Sequence, residues 1–120
     1  MDLGMYHVEV VRQHSCKNSE YIGRPSPLGN PFPIGQNANR DKVCDDYEDW
    51  FHTQVESNDR LVQHELMRLH RIGKINGVVR LGCFCTPARC HGDTIATFLM
   101  HNYDLLEEWF HEVNQKNIER

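Results

Sequence analysis

The sequence predicts an α/β fold: a small single domain whose short, mainly parallel sheet is packed by three to four helices. Three observations predict it. Two β-branched runs, around residues 6–12 and 78–82, are separated by two segments of helical period. Strands separated in this way can lie parallel with a right-handed crossover. Each helical segment carries one apolar stripe, which is what a helix covering a sheet requires. The 120 residues contain no internal repeat, low-complexity block or linker, so residues 1–120 read as one domain with one core. Its core spans about residues 6–100, with a helical extension over about 101–118.

The elements follow in order. Tyr6-His7-Val8-Glu9-Val10-Val11-Arg12 alternates around β-branched residues and predicts a first strand. Tyr21-Ile22-Gly23 predicts a second, very short one. Residues 24–35 hold four prolines and two glycines, a composition that forbids a helix and disfavours a central strand. A long loop in so small a domain is, when ordered, commonly functional. Val43, Tyr47, Trp50, Phe51 and Val55 then recur at helical spacing and predict a helix from about Asp41 to Val55. Asn58-Asp59 is a cap signal for the next helix, whose stripe is Leu61, Val62, Leu66, Leu69 and Ile72, with Gly73 as its stop. Val78-Val79-Arg80-Leu81-Gly82 predicts the second main strand. A helix follows from Thr94 through Met100, and a break near Asn102-Tyr103-Asp104 precedes a last one carrying Leu105, Leu106, Trp109, Phe110 and Val113. Those stripes read as core or as a partner surface.

Composition excludes several function classes. A formal charge of −4 leaves no basic stripe for extended, sequence-independent nucleic-acid binding. The apolar runs are too short to span a membrane, and Met1-Asp2-Leu3-Gly4-Met5 lacks the pattern of a secretory signal, so a cytoplasmic location is expected. Five cysteines in a reducing compartment do not predict a disulfide framework. Cys16 and Cys44 stand alone and read as inert thiols. No Walker loop, Gly-x-Gly-x-x-Gly, Gly-x-Ser-x-Gly or His-Glu-x-x-His occurs.

The densest chemistry lies in residues 83–93, Cys-Phe-Cys-Thr-Pro-Ala-Arg-Cys-His-Gly-Asp, at a strand-to-helix junction. Such junctions present ligands to backbone amides. One reading is a site for an anion. The helix start lowers the pKa of Cys90 toward a thiolate, His91 acts as acid/base or donor, and Arg89 forks onto a phosphate or carboxylate. Gly92 then allows close backbone approach, while Asp93 either joins the chemistry or caps the helix. The other reading is zinc held by Cys83, Cys85, Cys90 and His91, which are the right ligand types. Their C-x-C-x4-C-H spacing differs from common knuckles, and adjacent Cys90 and His91 have difficulty reaching one ion. Cys83 and Cys85, two apart on a strand, would share one face with Cα atoms about 6.6 Å apart. They also read simply as core thiols.

In the proline-rich loop, Arg24 can grip a phosphate and Asn30 can read a base edge or sugar hydroxyl; Asn30 can equally bond its own backbone. Arg40, before the first helix, is a candidate second anion contact or a solvated charge.

Together, Tyr21-Ile22-Gly23-Arg24-Pro25…Gly29-Asn30-Pro31-Phe32 and Cys83-x-Cys85-x-Pro87-x-x-Cys90-His91-Gly92-Asp93 resemble the signature of family 4326 of the domains of unknown function, found in phages and bacteria. The resemblance covers roughly residues 6 to 100. It implies a small α/β domain, a phage or prophage origin and a site at the two motifs, but no activity. The expectation is a pocket between residues 24–32 and the 90–93 helix start for a nucleotide-like or other phosphate-bearing small ligand. If the protein is an enzyme, hydrolysis or group transfer at a nucleotide or nucleoside is the expected class. The alternatives are a non-catalytic zinc-stabilised module, or a phage-encoded factor that contacts host protein, or a second copy of itself, through the C-terminal helix.

Overall fold

The computed structural model describes residues 5–13, 18–32, 39–83 and 90–118. Three parallel strands, β1 (His7–Arg12), β2 (Ser19–Tyr21) and β3 (Val78–Cys83), form one sheet in the order β1-β3-β2. Among the described residues, four helices accompany it: α1 (Arg40–Glu56), α2 (Arg60–Asn76), α3 (Gly92–His101) and α4 (Tyr103–Ile118). The α/β class, the parallel pairing of the two main strands and the number of helices agree with the sequence.

Strand periodicity sorts the two faces of the sheet. In register, Val8 meets Val79, Val10 meets Leu81 and Arg12 meets Cys83. Val8, Val79, Leu81 and Cys83 are all buried core residues. One residue out of phase, Glu9 meets Arg80, and its carboxylate accepts from the Arg80 Nε–H at 3.1 Å. That pair is half-exposed and marks the polar face. α2 packs on β3, α3 on β1 and β3, α4 on α2, and α1 on α2. The aromatic stripes meet in the core: Phe51 of α1 stands edge-on to Phe98 of α3 at 5.4 Å, and Phe98 stacks on Trp109 of α4 at 6.1 Å. Leu106 and Trp109 are buried, so the C-terminal stripe serves this core first. Each such large side chain stabilises the fold by about 1.5–3 kcal/mol through burial.

The helix ends have identifiable causes. Asn39 caps α1, its Oδ1 accepting from the Asp41 and Lys42 amides. Asp59 caps α2 by accepting from Val62 N–H at 3.0 Å. The expected stop at Gly73 is corrected: α2 runs on to Asn76 and ends at Gly77, which takes φ 78° and donates to the Gly73 carbonyl. Gly73 instead sits inside the helix, where the Tyr6 ring occupies the space a Cβ would need. The predicted strand at 21–23 shifts to Ser19–Tyr21, and Ile22 N–H extends the ladder by donating to Gly82. The break near residue 102 is real. Asn102 donates from Nδ2 to the Phe98 carbonyl and accepts from Leu106 N–H, ending one helix and opening the next.

A polar network ties the N-terminal end of the sheet to α2 and α4. His70 is wholly buried. Its Nε2–H donates to Glu107 at 2.7 Å, and its Nδ1 accepts from the Tyr6 hydroxyl at 2.6 Å. Lys74 donates to the same Glu107 oxygen at 2.8 Å. Burial pulls the His70 pKa down, against the opposing pull of Glu107, so the imidazole is neutral, as these two roles require. No helix among the described residues is long and apolar enough to cross a membrane.

Candidate functional site

All three strands point the same way, so their C-terminal ends lie along one edge of the sheet. Residues 22–32 follow β2 at that edge, and the 90–91 turn that opens α3 bonds to them, so the described parts of both motifs meet there.

Two buried hydrogen bonds fasten the proline-rich loop to the helices. His91 Nε2–H donates to the Ile22 carbonyl at 2.8 Å. The Tyr47 hydroxyl donates to the Leu28 carbonyl at 2.7 Å. The two rings also touch, edge to face, with centroids 5.1 Å apart. Ile22, Leu28 and Tyr47 are fully buried, so the loop is anchored in the core. Burial pushes the Tyr47 phenol up, with Cys90 adding to the effect, and keeps it a donor. The loop's own turns do the rest: Ser26 N–H donates to Gly23, Gly29 N–H to Ser26, and Leu28 N–H to the Ser26 hydroxyl. The Arg24-Pro25 bond is cis.

The 90–93 turn is equally well tied. Asp93 accepts from Cys90 N–H through Oδ2 at 3.3 Å, while its own N–H donates to the Cys90 carbonyl. The expectation of Asp93 as N-cap is thus corrected. It lies inside the first turn of α3, the cap position belongs to His91, and the carboxylate reaches backward instead. Gly92 packs closely, and a Cβ there would sit 3.0 Å from both Ile22 Cδ1 and Val10 Cγ1. Its N–H donates to Cys90 Sγ at 3.3 Å, and the Thr94 and Ile95 amides are taken by the His91 carbonyl. The amides at this helix start are therefore engaged by the chain itself.

Cys90 and Cys83 are both buried, with sulfurs 3.1 Å apart. The hydrogen bond with Cys83 and then burial push the Cys90 thiol well above its usual range, outweighing the Gly92 N–H. The thiolate expected at Cys90 is not what these surroundings favour. Of the zinc set, Cys85 lies outside the described residues, and His91 spends Nε2 on Ile22, so that Nδ1 would be its ligating atom. Two thiolates sharing a tetrahedral zinc stand about 3.8 Å apart at Zn–S near 2.3 Å, further than the Cys83 and Cys90 sulfurs. Among the described residues, no group of three or more His, Cys, Asp or Glu side chains is placed to hold a metal.

Of the other predicted contacts, Arg89 also lies outside the described residues. Arg24 is exposed on the loop. Asn30 accepts from Phe32 N–H through Oδ1 at 2.8 Å, the local turn that its residue type favours. Arg40 is half-buried at the first position of α1. A groove of about 210 Å³ opens beside the turn, between α1 and α3, lined by Glu48, His52, Cys90, Asp93, Thr94, Thr97, Phe98, His101 and Asn102. Sequence reasoning missed Tyr47, Glu48 and His52. Tyr47 sat within an apolar stripe, and only the fold reveals what its hydroxyl reaches.

Comparison with curated proteins and with solved structures finds no match. The family described as Domain of unknown function (DUF4326) matches residues 8–101, a span that runs from β1 to the end of α3 and holds both motifs. The chain belongs to that family.

Proposed function

We propose that this protein binds a small phosphate-bearing, nucleotide-like ligand at the C-terminal edge of its sheet, between loop 22–32 and the 90–93 turn. One observation carries the reading: three parallel strand ends converge on a loop that the His91–Ile22 hydrogen bond ties to the turn and the Tyr47–Leu28 hydrogen bond ties to α1. In open α/β sheets, ligands bind outside the carboxyl ends of the strands. A rigid rim there reduces the ordering cost of binding.

The roles divide by exposure. His91 and Tyr47 are positioning residues, because their polar atoms face inward. The α3 amides are already engaged, so the phosphate falls to guanidinium groups: Arg24 on the loop, with Arg40 and Arg89 as further candidates. The carboxylates of Asp93 and Glu48 in the adjoining groove repel phosphate but accept hydroxyl groups, which suits the sugar end of such a ligand. Cys90 lies at the floor of that groove as a thiol.

A thermal-shift series with nucleoside mono- and diphosphates, free nucleosides and inorganic phosphate tests the reading by mass-action linkage. Nucleotides raise Tm in the wild type, Arg24→Ala reduces the rise, and Asp93→Asn reduces it for nucleosides and nucleotides but not for inorganic phosphate. A wild type that none of these compounds stabilises, or shifts identical in both variants, overturns it. Analysis of the same mixtures for released base or phosphate tests for hydrolysis or group transfer.

A further inference from the structure

We infer that Cys83 and Cys90 form an oxidative modification site, a dithiol that a low-molecular-weight disulfide such as oxidised glutathione converts into an intramolecular disulfide bridging the end of β3 to the start of α3.

The sulfurs are 3.1 Å apart and both residues are buried in the core. A disulfide needs about 2.05 Å, which leaves the sulfurs about 1 Å to close. The partners are held in mutual register by separate elements. Cys83 is the last residue of the central strand, paired with Arg12 in the ladder, and its carbonyl accepts from Gln13 N–H at 2.8 Å. Cys90 is held by Asp93 on its N–H and by Gly92 N–H on its sulfur. The third described cysteine, Cys44, lies on α1 and is buried there. The bridge would close a ring over residues 84–89, beside the turn that carries His91. This inference does not depend on what the pocket binds.

The chemistry balances by two exchanges. A thiolate of the pair attacks oxidised glutathione, forming a mixed disulfide and releasing one glutathione thiolate. The second thiol, deprotonated, attacks the protein sulfur of that mixed disulfide, forming the Cys83–Cys90 bond and releasing the second glutathione. The protein loses two electrons and two protons, and one oxidised glutathione becomes two reduced molecules. Because the thiolate is the attacking species, the exchange runs faster as pH rises.

The test equilibrates the full chain in defined mixtures of reduced and oxidised glutathione, quenches in acid, alkylates the remaining thiols and maps the peptides. A Cys83–Cys90 cross-link that accumulates with oxidised glutathione, faster at higher pH, and disappears with dithiothreitol is the expected result. It should persist in a variant carrying Cys16→Ser, Cys44→Ser and Cys85→Ser. Adding Cys90→Ser to that background should leave at most a glutathione adduct. Two thiols that remain alkylatable throughout, a cross-link through Cys85 instead, or thiols protected by co-purifying zinc overturns the inference. The three-serine background retains both thiols, so the test stands even where loss of Cys83 or Cys90 prevents folding.

Discussion

Tyr47→Phe removes one oxygen from the site's best-anchored contact and leaves everything else in place. The ring is fully buried and keeps its neighbours in the variant: Trp50 at 5.5 Å, Phe51 at 6.0 Å and His91 at 5.1 Å between centroids. What disappears is the donor to the Leu28 carbonyl at 2.7 Å, on a residue that is itself 0% exposed. Leu28 has no exposed surface through which solvent could replace the donor. Stranding a buried acceptor costs about 1–3 kcal/mol, more than the net worth of an average hydrogen bond. With an unfolding entropy of about 2.1 cal/mol/K per residue over 120 residues, the corresponding fall in Tm is about 4–12 °C. Urea unfolding should show a lower midpoint at unchanged m-value. Native-state hydrogen exchange should place the lost protection in loop 22–32, ahead of α1 and α2. A stability change below about 0.3 kcal/mol, or protection lost evenly across the helices, would refute the view that this hydroxyl fastens the loop.

Three further outcomes follow from the same geometry. His91→Ala removes a buried donor and leaves a void, at about 2–4 kcal/mol in chemical denaturation, and His91→Gln, which keeps an N–H, should recover part of the loss. Gly92→Ala gains about 1 kcal/mol of helix propensity but forces Ile22 and Val10 aside at about 1–3 kcal/mol, so equilibrium unfolding should show a net loss of up to about 2 kcal/mol. Burial holds the His70 pKa below its ordinary value of 6.5, so the unfolded chain binds the proton first as pH falls. The stability from neutral His70 is complete above 6.5, is lost as pH drops below it, and levels off under the folded-state pKa. Burial pushes Glu107 up, but hydrogen bonds from Lys74 and His70 more than reverse it, so its share is lost at lower pH still. His70→Gln should flatten the first of these two slopes in a pH series of urea midpoints.

The fold was legible wherever periodicity decides structure. The α1 stripe from Val43 to Val55 and the β-branched runs of β1 and β3 each bury one face, and a period of 3.6 or 2 records this directly. The end of α2 is not legible because Gly73 and Gly77 are both glycines. Only the Tyr6 ring packed on one and the φ of 78° at the other tell a close contact from a stop. At the site, proximity was legible and role was not. The sequence places Cys90, His91 and Asp93 together, but the direction in which each polar atom points depends on residues far away in the chain. Ile22 captures His91 across 69 positions, and Leu28 captures Tyr47 across 19. Asp93 turned backward to Cys90 because His91, not Asp93, occupies the cap position.

These captures divide the candidate site into two layers with separable consequences. The inner layer, His91, Tyr47, Gly92 and the Cys83–Cys90 pair, is buried and spends its polar atoms on the chain itself. The outer layer, Arg24 and Asp93, is exposed. Inner-layer substitutions should therefore lower stability and ligand response together, since the rim loses its shape. Arg24→Ala has no buried partner to strand, and exposed substitutions of this kind shift stability by no more than about 0.5 kcal/mol. It should leave the unliganded Tm nearly unchanged while reducing the nucleotide-induced rise. Should Arg24→Ala instead destabilise the unliganded protein as much as Tyr47→Phe, the guanidinium would belong to the scaffold. The phosphate contact would then have to come from elsewhere on the rim.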